Sequence, residues 1–155
     1  TMIFPFDWRA SAGDLAAVEE VHRHLAQVVE AGGGRIDAFY YCPHHPEGTV
    51  EAYTRRRECR KPGRGMIDRA IADFGVDATR SYVVGDKWVD VALARAVGAK
   101  GLLVRTGYGA AEALQARPDV VADAIVDNLG EATHWILNDV QSTIINQSPI
   151  NNRQS

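Results

Sequence analysis

Apolar and polar positions along this chain follow two periods. Leu15, Val18, Val21, Leu25, Val28 and Val29 recur at helical spacing and Gly32, Gly33 and Gly34 end the pattern, which predicts an amphipathic helix from about Asp14 to Ala31. Ile36 to Cys42 is a short apolar and aromatic run that reads as a buried strand. Pro43, Pro46 and Gly48 then open a long loop lasting to about Pro62. Met66, Ile67, Ala70, Ile71 and Phe74, stopped by Gly75, predict a second helix. Ser81 to Val84 is a strand running into Gly85 and Asp86, and a third helix covers about Val89 to Val97, ended by Gly98. Gly101 to Val104 is another strand, followed by a loop of Thr106, Gly107, Tyr108 and Gly109. A helix near Ala110 to Ala116, a short strand at Ala124 to Val126 and a last helix from Leu129 to about Val140 complete the pattern.

Strands alternating with helices at this spacing predict an α/β domain with a doubly wound parallel sheet covered on both faces. In such folds the chemistry lies beyond the carboxyl ends of the strands. A chain of 155 residues, 46% of them hydrophobic, can bury one core and has little room for two. The reading is therefore a single domain over residues 1–140. Residues 141–155, whose last part from Gln147 is polar and contains a proline, are expected to form a loose tail.

Seventeen basic and twenty acidic residues leave a formal charge of −3, which gives no basis for a nucleic-acid or anionic-membrane partner. Any anion must be gripped locally. No apolar run approaches the roughly eighteen residues that a membrane span needs, and the first residues show no basic segment leading into an apolar one, so a cytoplasmic location is expected. Two cysteines, Cys42 and Cys59, are too few for a disulfide scaffold. In a reducing compartment, cysteines with a histidine nearby point instead to a metal.

The segment Val83, Val84, Gly85, Asp86, Lys87, Trp88, Val89, Asp90 ends an apolar strand in a glycine and then an aspartate. A carboxylate at that edge suits Mg²⁺, a hard ion that takes oxygen ligands and keeps waters. Asp90 lies one helical turn further on, where it can face the same side, and Lys87 can reach a phosphate as a point charge. Helix capping accounts for Asp86 and Asp90 equally well when they are taken alone. Arg60, Lys61, Pro62 and Gly63 form a second cluster at the end of the long loop, which by itself is more often a solvated turn. One helix and one strand join the two loops, an arrangement that brings them to the same edge of the sheet. There the two cations would face the charge that spreads over the oxygens of a phosphoryl group in transfer.

Tyr40, Tyr41, Cys42, Pro43, His44, His45 and Pro46, then Cys59, Arg60, Lys61 and Pro62, then Gly85, Asp86, Lys87 and Asp90, then Val104, Arg105, Thr106 and Gly107 resemble, in order, the D-glycero-D-manno-heptose 1,7-bisphosphate phosphatase family of the haloacid dehalogenase superfamily. Histidinol-phosphate phosphatases share much of the pattern. The resemblance covers roughly residues 14 to 109. It implies a Rossmann-like haloacid dehalogenase fold and Mg²⁺-dependent hydrolysis of a phosphomonoester on a sugar or small metabolite through an aspartyl-phosphate. By position it gives Lys61 the role of holding the phosphoaspartyl intermediate, Arg60 and Lys87 those of substrate-phosphate contacts, Asp86 that of Mg²⁺ ligand, and Asp90 that of a supporting carboxylate. Members of the complete family are monomers.

Cys42, His44 and Cys59 resemble the family's structural Zn²⁺ loop, but Arg57 stands where the family pattern has a further cysteine. Three of four expected ligands remain, and an arginine cannot replace the fourth because it stays protonated. His45, Glu58 or a water could complete the set. The family also attacks phosphate with the first aspartate of an Asp-x-Asp, and that motif occurs nowhere in this sequence. Asp7 ends an apolar run, yet Arg9 takes the place of the partner acid, and the spacing to Tyr40 is too short. The expectation is an N-terminally incomplete member of the family, a fragment of a longer enzyme, a sequence with a damaged start or a natural remnant, whose fold lacks its first strand region, with Thr1 to Ala12 a degenerate remnant or an unrelated replacement. The uncovered edge and apolar surface would favour a dimer. Two other functions stand beside hydrolysis: a non-catalytic protein that binds phosphorylated ligands or a partner chain, and a small zinc-loop interaction module.

Overall fold

The computed structural model describes residues 2–3, 15–42, 59–115 and 117–147. Among them the elements are, in order, β1 (Met2–Ile3), α1 (Leu15–Ala31), α2 (Gly65–Phe74), β2 (Tyr82–Gly85), α3 (Trp88–Val97), β3 (Lys100–Val104), α4 (Gly109–Ala113), β4 (Ala124–Val126) and α5 (Leu129–Gln147). The strands form one parallel sheet in the order β1-β2-β3-β4. The α/β class and the parallel sheet are as expected from the alternation of the two periods.

Apart from Lys100 at the start of β3, the two central strands are built mainly of apolar residues because helices cover both of their faces. Val83 points to one face, where Ile67 of α2 and Leu93, Ala94 and Val97 of α3 close over it. Tyr82 and Val84 point to the other, where they meet Leu102 and Val104 of β3 and Ala132 and Ile136 of α5. Leu103 turns back toward Trp88 and Val91 of α3. Successive residues of one strand thus serve opposite layers, and the carboxyl ends of β2 and β3 are held side by side by pairs such as Gly85 with Leu103.

The structure departs from the sequence reading in three places. The opening of the chain supplies a two-residue strand beside β2, where no strand was assigned; Asp7 and Arg9 lie outside the described residues. Residues 36–42 form no strand. Their aromatic side chains dock on the helices instead: Phe39 stacks on His22 of α1 with ring centroids 4.3 Å apart, and the Tyr40 hydroxyl donates to Asp73 of α2 at 2.6 Å. Composition marked this run as sheet-forming, but its rings find their partners on α1 and α2 and not at the sheet. Finally, α5 continues through Gln147, so residues 141–147 are helix and not tail. Ser142 and Thr143 fit that helix by donating to the carbonyls of Asn138 and Asp139 one turn back. Residues 148–155 lie outside the described residues. No helix among the described residues is long and apolar enough to cross a membrane.

Candidate functional site at the carboxyl rim of the sheet

Strand β2 ends in Gly85, and the next two residues, Asp86 and Lys87, form the turn into α3. Gly85 is required there: a β-carbon at this position would overlap the Asp90 carboxylate, which is folded back over the strand end. Asp90 is buried and both of its oxygens are engaged. Oδ2 accepts from the Lys87 backbone N–H at 3.2 Å, the reciprocal cap expected of an acid in the first turn of a helix. Oδ1 accepts from Lys61 Nζ at 2.7 Å. The side chains of this ion pair are only 4% and 2% exposed. Capping and ion pairing, which spacing alone could not separate, are thus both present.

Lys61 comes from the turn ahead of α2, next to a cis Lys61–Pro62 peptide bond. It crosses to the start of α3 and ends beside the carboxylate that backs onto Asp86. Burial pushes the Asp90 carboxyl above its ordinary value; the Lys61 ammonium and the Lys87 N–H act against that rise, and the neighbouring Asp86 charge adds to it. Arg60 precedes Lys61 and is partly buried. Lys61, Asp86, Lys87 and Asp90 therefore share one rim, the carboxyl end of β2, with α2 and β2 joining the two loops.

The neighbouring loop, between β3 and α4, meets this rim. Gly107 takes a left-handed conformation (φ 62°) and carries no β-carbon to strike the Asp86 carboxylate. The turn brings the Tyr108 N–H to Asp86 Oδ2 at 3.0 Å, and the Lys87 ammonium lies over the Tyr108 ring, 4.5 Å from its centroid. Trp88 fixes the far side of the loop: its backbone N–H donates to Glu112 Oε2 at 3.0 Å and its indole N–H to the Glu112 carbonyl at 2.8 Å. Sequence reasoning did not select Tyr108, Trp88 or Glu112. The available signal was an aromatic residue between two glycines just past a strand.

Among the described residues no group of three or more histidines, cysteines or acids could hold a metal ion. Mg²⁺ asks for less, since it is commonly held by one or two carboxylates together with waters and substrate oxygens. Asp86 fits: it is a carboxylate at the rim with one oxygen fixed by Tyr108, while Asp90, with both oxygens engaged, does not.

The zinc expectation requires a correction. Cys42 and Cys59 do come together, with Cα atoms 5.4 Å apart, but as a disulfide. A bonded pair has no thiolate to offer a cation, and thiolates are what zinc takes from cysteine. Arg57, in place of a further cysteine, supplies no anionic ligand. His44, His45, Arg57 and Glu58 lie outside the described residues.

Residues 58–132 match the haloacid dehalogenase (HAD)-hydrolase-like family. The chain is similar to the D-glycero-beta-D-manno-heptose-1,7-bisphosphate 7-phosphatase of Haemophilus ducreyi, 43% identical over 93 residues that make up 59% of this chain and 50% of that protein. It is also similar to the D-glycero-D-manno-heptose-1,7-bisphosphate 7-phosphatase of Chlorobaculum tepidum, at 36% over 77% of this chain and 63% of the relative. The chain thus spans about half to two-thirds of the length of these relatives. Among solved structures, the D,D-heptose 1,7-bisphosphate phosphatase of B. bronchiseptica, complexed with magnesium and phosphate, superposes with a TM-score of 0.67 at 27% identity, covering 81% of this chain and 66% of that one.

Proposed function

We propose that the chain is a haloacid dehalogenase-like hydrolase and that its rim is the phosphate- and cation-holding part of a Mg²⁺-dependent phosphomonoesterase site. The substrate is a phosphorylated sugar or small metabolite, heptose 1,7-bisphosphate or histidinol phosphate. The observation that supports this most directly is the gathering of Lys61, Lys87 and Asp86 around the buried Asp90 at the end of β2.

Asp86 is the residue that would hold Mg²⁺, which when bound neutralises charge on the phosphoryl oxygens and orients them. Lys61 presents its ammonium to the same oxygens. One of its three donors is committed to Asp90, which fixes the charge in place before the substrate arrives, so little reorganisation is needed as charge develops. Arg60 and Lys87, from the same two loops, are the further phosphate contacts. Attack on phosphorus needs a nucleophile, and in this family that is an aspartyl carboxylate. No Asp-x-Asp occurs in these 155 residues, which span about half to two-thirds of the relatives' length, so for these residues by themselves a second reading stands beside hydrolysis: binding of phosphorylated ligands without turnover.

Phosphate release from heptose 1,7-bisphosphate and histidinol phosphate, followed alongside calorimetric binding of inorganic phosphate, separates the two. Hydrolysis predicts release that requires Mg²⁺ and falls about a hundredfold or more in Asp86→Asn with the fold retained. Release unchanged in that variant rejects the site. Mg²⁺-dependent phosphate binding without release selects the second reading.

A further inference from the structure

We propose that Tyr108 is a positioning residue for Lys87, its ring holding the Lys87 ammonium at the mouth of the site next to Asp86. The inference rests on the phosphate-binding reading above and names a residue to which that reading gives no role.

Three observations converge on it. The Lys87 Nζ sits 4.5 Å from the Tyr108 ring centroid, inside the range over which an aromatic face attracts a cation. The same residue is tied to the other charged group of the rim, because its backbone N–H donates to Asp86 Oδ2 at 3.0 Å. The ring is also 63% exposed, so it does not contribute to the core, and packing alone gives no reason for an aromatic here. The left-handed turn at Gly107 aims both the N–H and the ring of Tyr108 back at the β2–α3 loop.

A lysine on four rotatable bonds loses conformational freedom when a ligand fixes it. A ring that already confines the ammonium removes part of that loss before phosphate binds. The ring covers one side of the ammonium, whose three donors point in different directions. Confinement beside the Asp86 cation site should therefore strengthen binding; a ring that drew the lysine away from the site would weaken it.

The test is calorimetric titration of the full chain with inorganic phosphate in the presence of Mg²⁺, for the wild type, Tyr108→Leu, Tyr108→Phe, Lys87→Met and the Lys87→Met/Tyr108→Leu double variant. Tyr108→Leu should weaken binding about two- to fivefold, the worth of an exposed cation–π contact, and Tyr108→Phe, which keeps the ring, should restore it. In the Lys87→Met background Tyr108→Leu should have no effect, because the two residues act as one unit. Proton NMR provides a readout independent of binding: the Lys87 side-chain methylenes should be shifted upfield by the ring in the Tyr and Phe proteins and not in Leu. Unchanged or tighter binding in Tyr108→Leu, an equal loss with and without Lys87, or no ring shift in the wild type would each overturn the proposal. A wild type that binds no phosphate removes the phosphate-site reading and this role with it. Wild-type binding that is indifferent to Tyr108→Leu removes only this role.

Discussion

An ammonium and a carboxylate at the centre of this site, Lys61 and Asp90, are each almost wholly withdrawn from water. Taking two charges out of water costs several kcal/mol apiece, and their attraction repays that only while both are present and hydrogen-bonded. Asp90→Ala should therefore destabilise the chain by about 3–5 kcal/mol in denaturant unfolding, because the Lys61 ammonium would stay buried without its counter-ion. Replacing both residues by apolar ones, Lys61→Met with Asp90→Leu, should cost much less. A single variant within about 1 kcal/mol of wild type, the worth of an exposed pair, would mean that the ion pair is open to solvent. The sequence made part of this visible. Asp86 was legible because an aspartate after a strand-ending glycine has few other places to be. Lys61 was legible because one helix and one strand carry it back to the same rim. The burial of Asp90 was not, since a spacing of four residues serves a cap, a water-bridged ligand and an ion pair alike. Tyr108 was missed because an aromatic between glycines reads as a turn until a neighbouring loop supplies the cation that faces it.

Elements were legible where period and punctuation agreed, as in α2 with Gly75 behind it or β3 between Gly98 and Gly107, and failed where partners decide. Residues 36–42 have strand composition, but their rings dock on α1 and α2, and α5 runs past Val140 through Ile144 and Ile145, with its serine and threonine bonding within the helix. How α5 is fastened could not be read locally at all. At the amino end of the sheet, opposite the candidate site, the Tyr82 hydroxyl donates to Asp139 of α5 at 2.6 Å, and Lys100 at the start of β3 pairs with the same carboxylate oxygen. Burial, with the Asp139 hydrogen bond and charge, pushes the Tyr82 phenol from 10.0 up to about 12. Partial burial works to raise the Asp139 carboxyl, but bonds from Lys100 and Tyr82 and the lysine charge outweigh it and hold the carboxyl below its ordinary value. The two groups bind protons differently in the folded and unfolded chains, and in opposite senses. Tyr82, raised by folding, contributes stability that is complete below pH 10 and is lost as pH climbs from there toward 12. Asp139, lowered by folding, contributes stability that is present above its unfolded value of 3.8 and is lost as pH falls through its folded one. Thermal unfolding across pH should then show an alkaline decline that shrinks in Tyr82→Phe and an acid decline that shrinks in Asp139→Asn. If both variants track the wild type at both ends, the fastening contributes nothing measurable.

For the whole molecule, the question is where stability resides in a sheet of short strands. The centre is β2, β3 and α3: Val83, Val91, Leu93, Ala94, Leu102 and Leu103 are all sealed from water, and the helix lies so close on β3 that a β-carbon at Gly101 would come within 2.9 Å of that of Ala94. The periphery differs. In α1 only Val18 is buried among the residues whose side chains are described, while Val21, Leu25 and Val28 stay about half exposed, and its contacts run through the His22 and Phe39 rings to a segment without strand pairing. An element that buries so little apolar area should open locally long before the centre does. Amide hydrogen exchange should accordingly rank the chain in two groups. Residues 82–85, 91–97 and 101–104 should exchange through the opening that unfolds the whole domain, with free energies that move together as denaturant is added. Those of α1 should exchange orders of magnitude faster, with little denaturant dependence, because their opening exposes little surface. Protection in α1 equal to that of β3 would show that the helix belongs to the central cooperative unit, and that its half-exposed apolar residues are covered in solution by something other than the described chain. The distinction matters for the site, because Asp86, Lys87 and Asp90 stand on the central unit, whereas Arg60 and Lys61 reach it from the turn that the Cys42–Cys59 bridge joins to the segment packed on α1. Lys61 is tied to the central unit by its ion pair with Asp90. Opening of α1 should then leave the Asp90 ion pair in place, seen as Asp90-dependent protection of the α3 amino-terminal amides that outlasts exchange in α1.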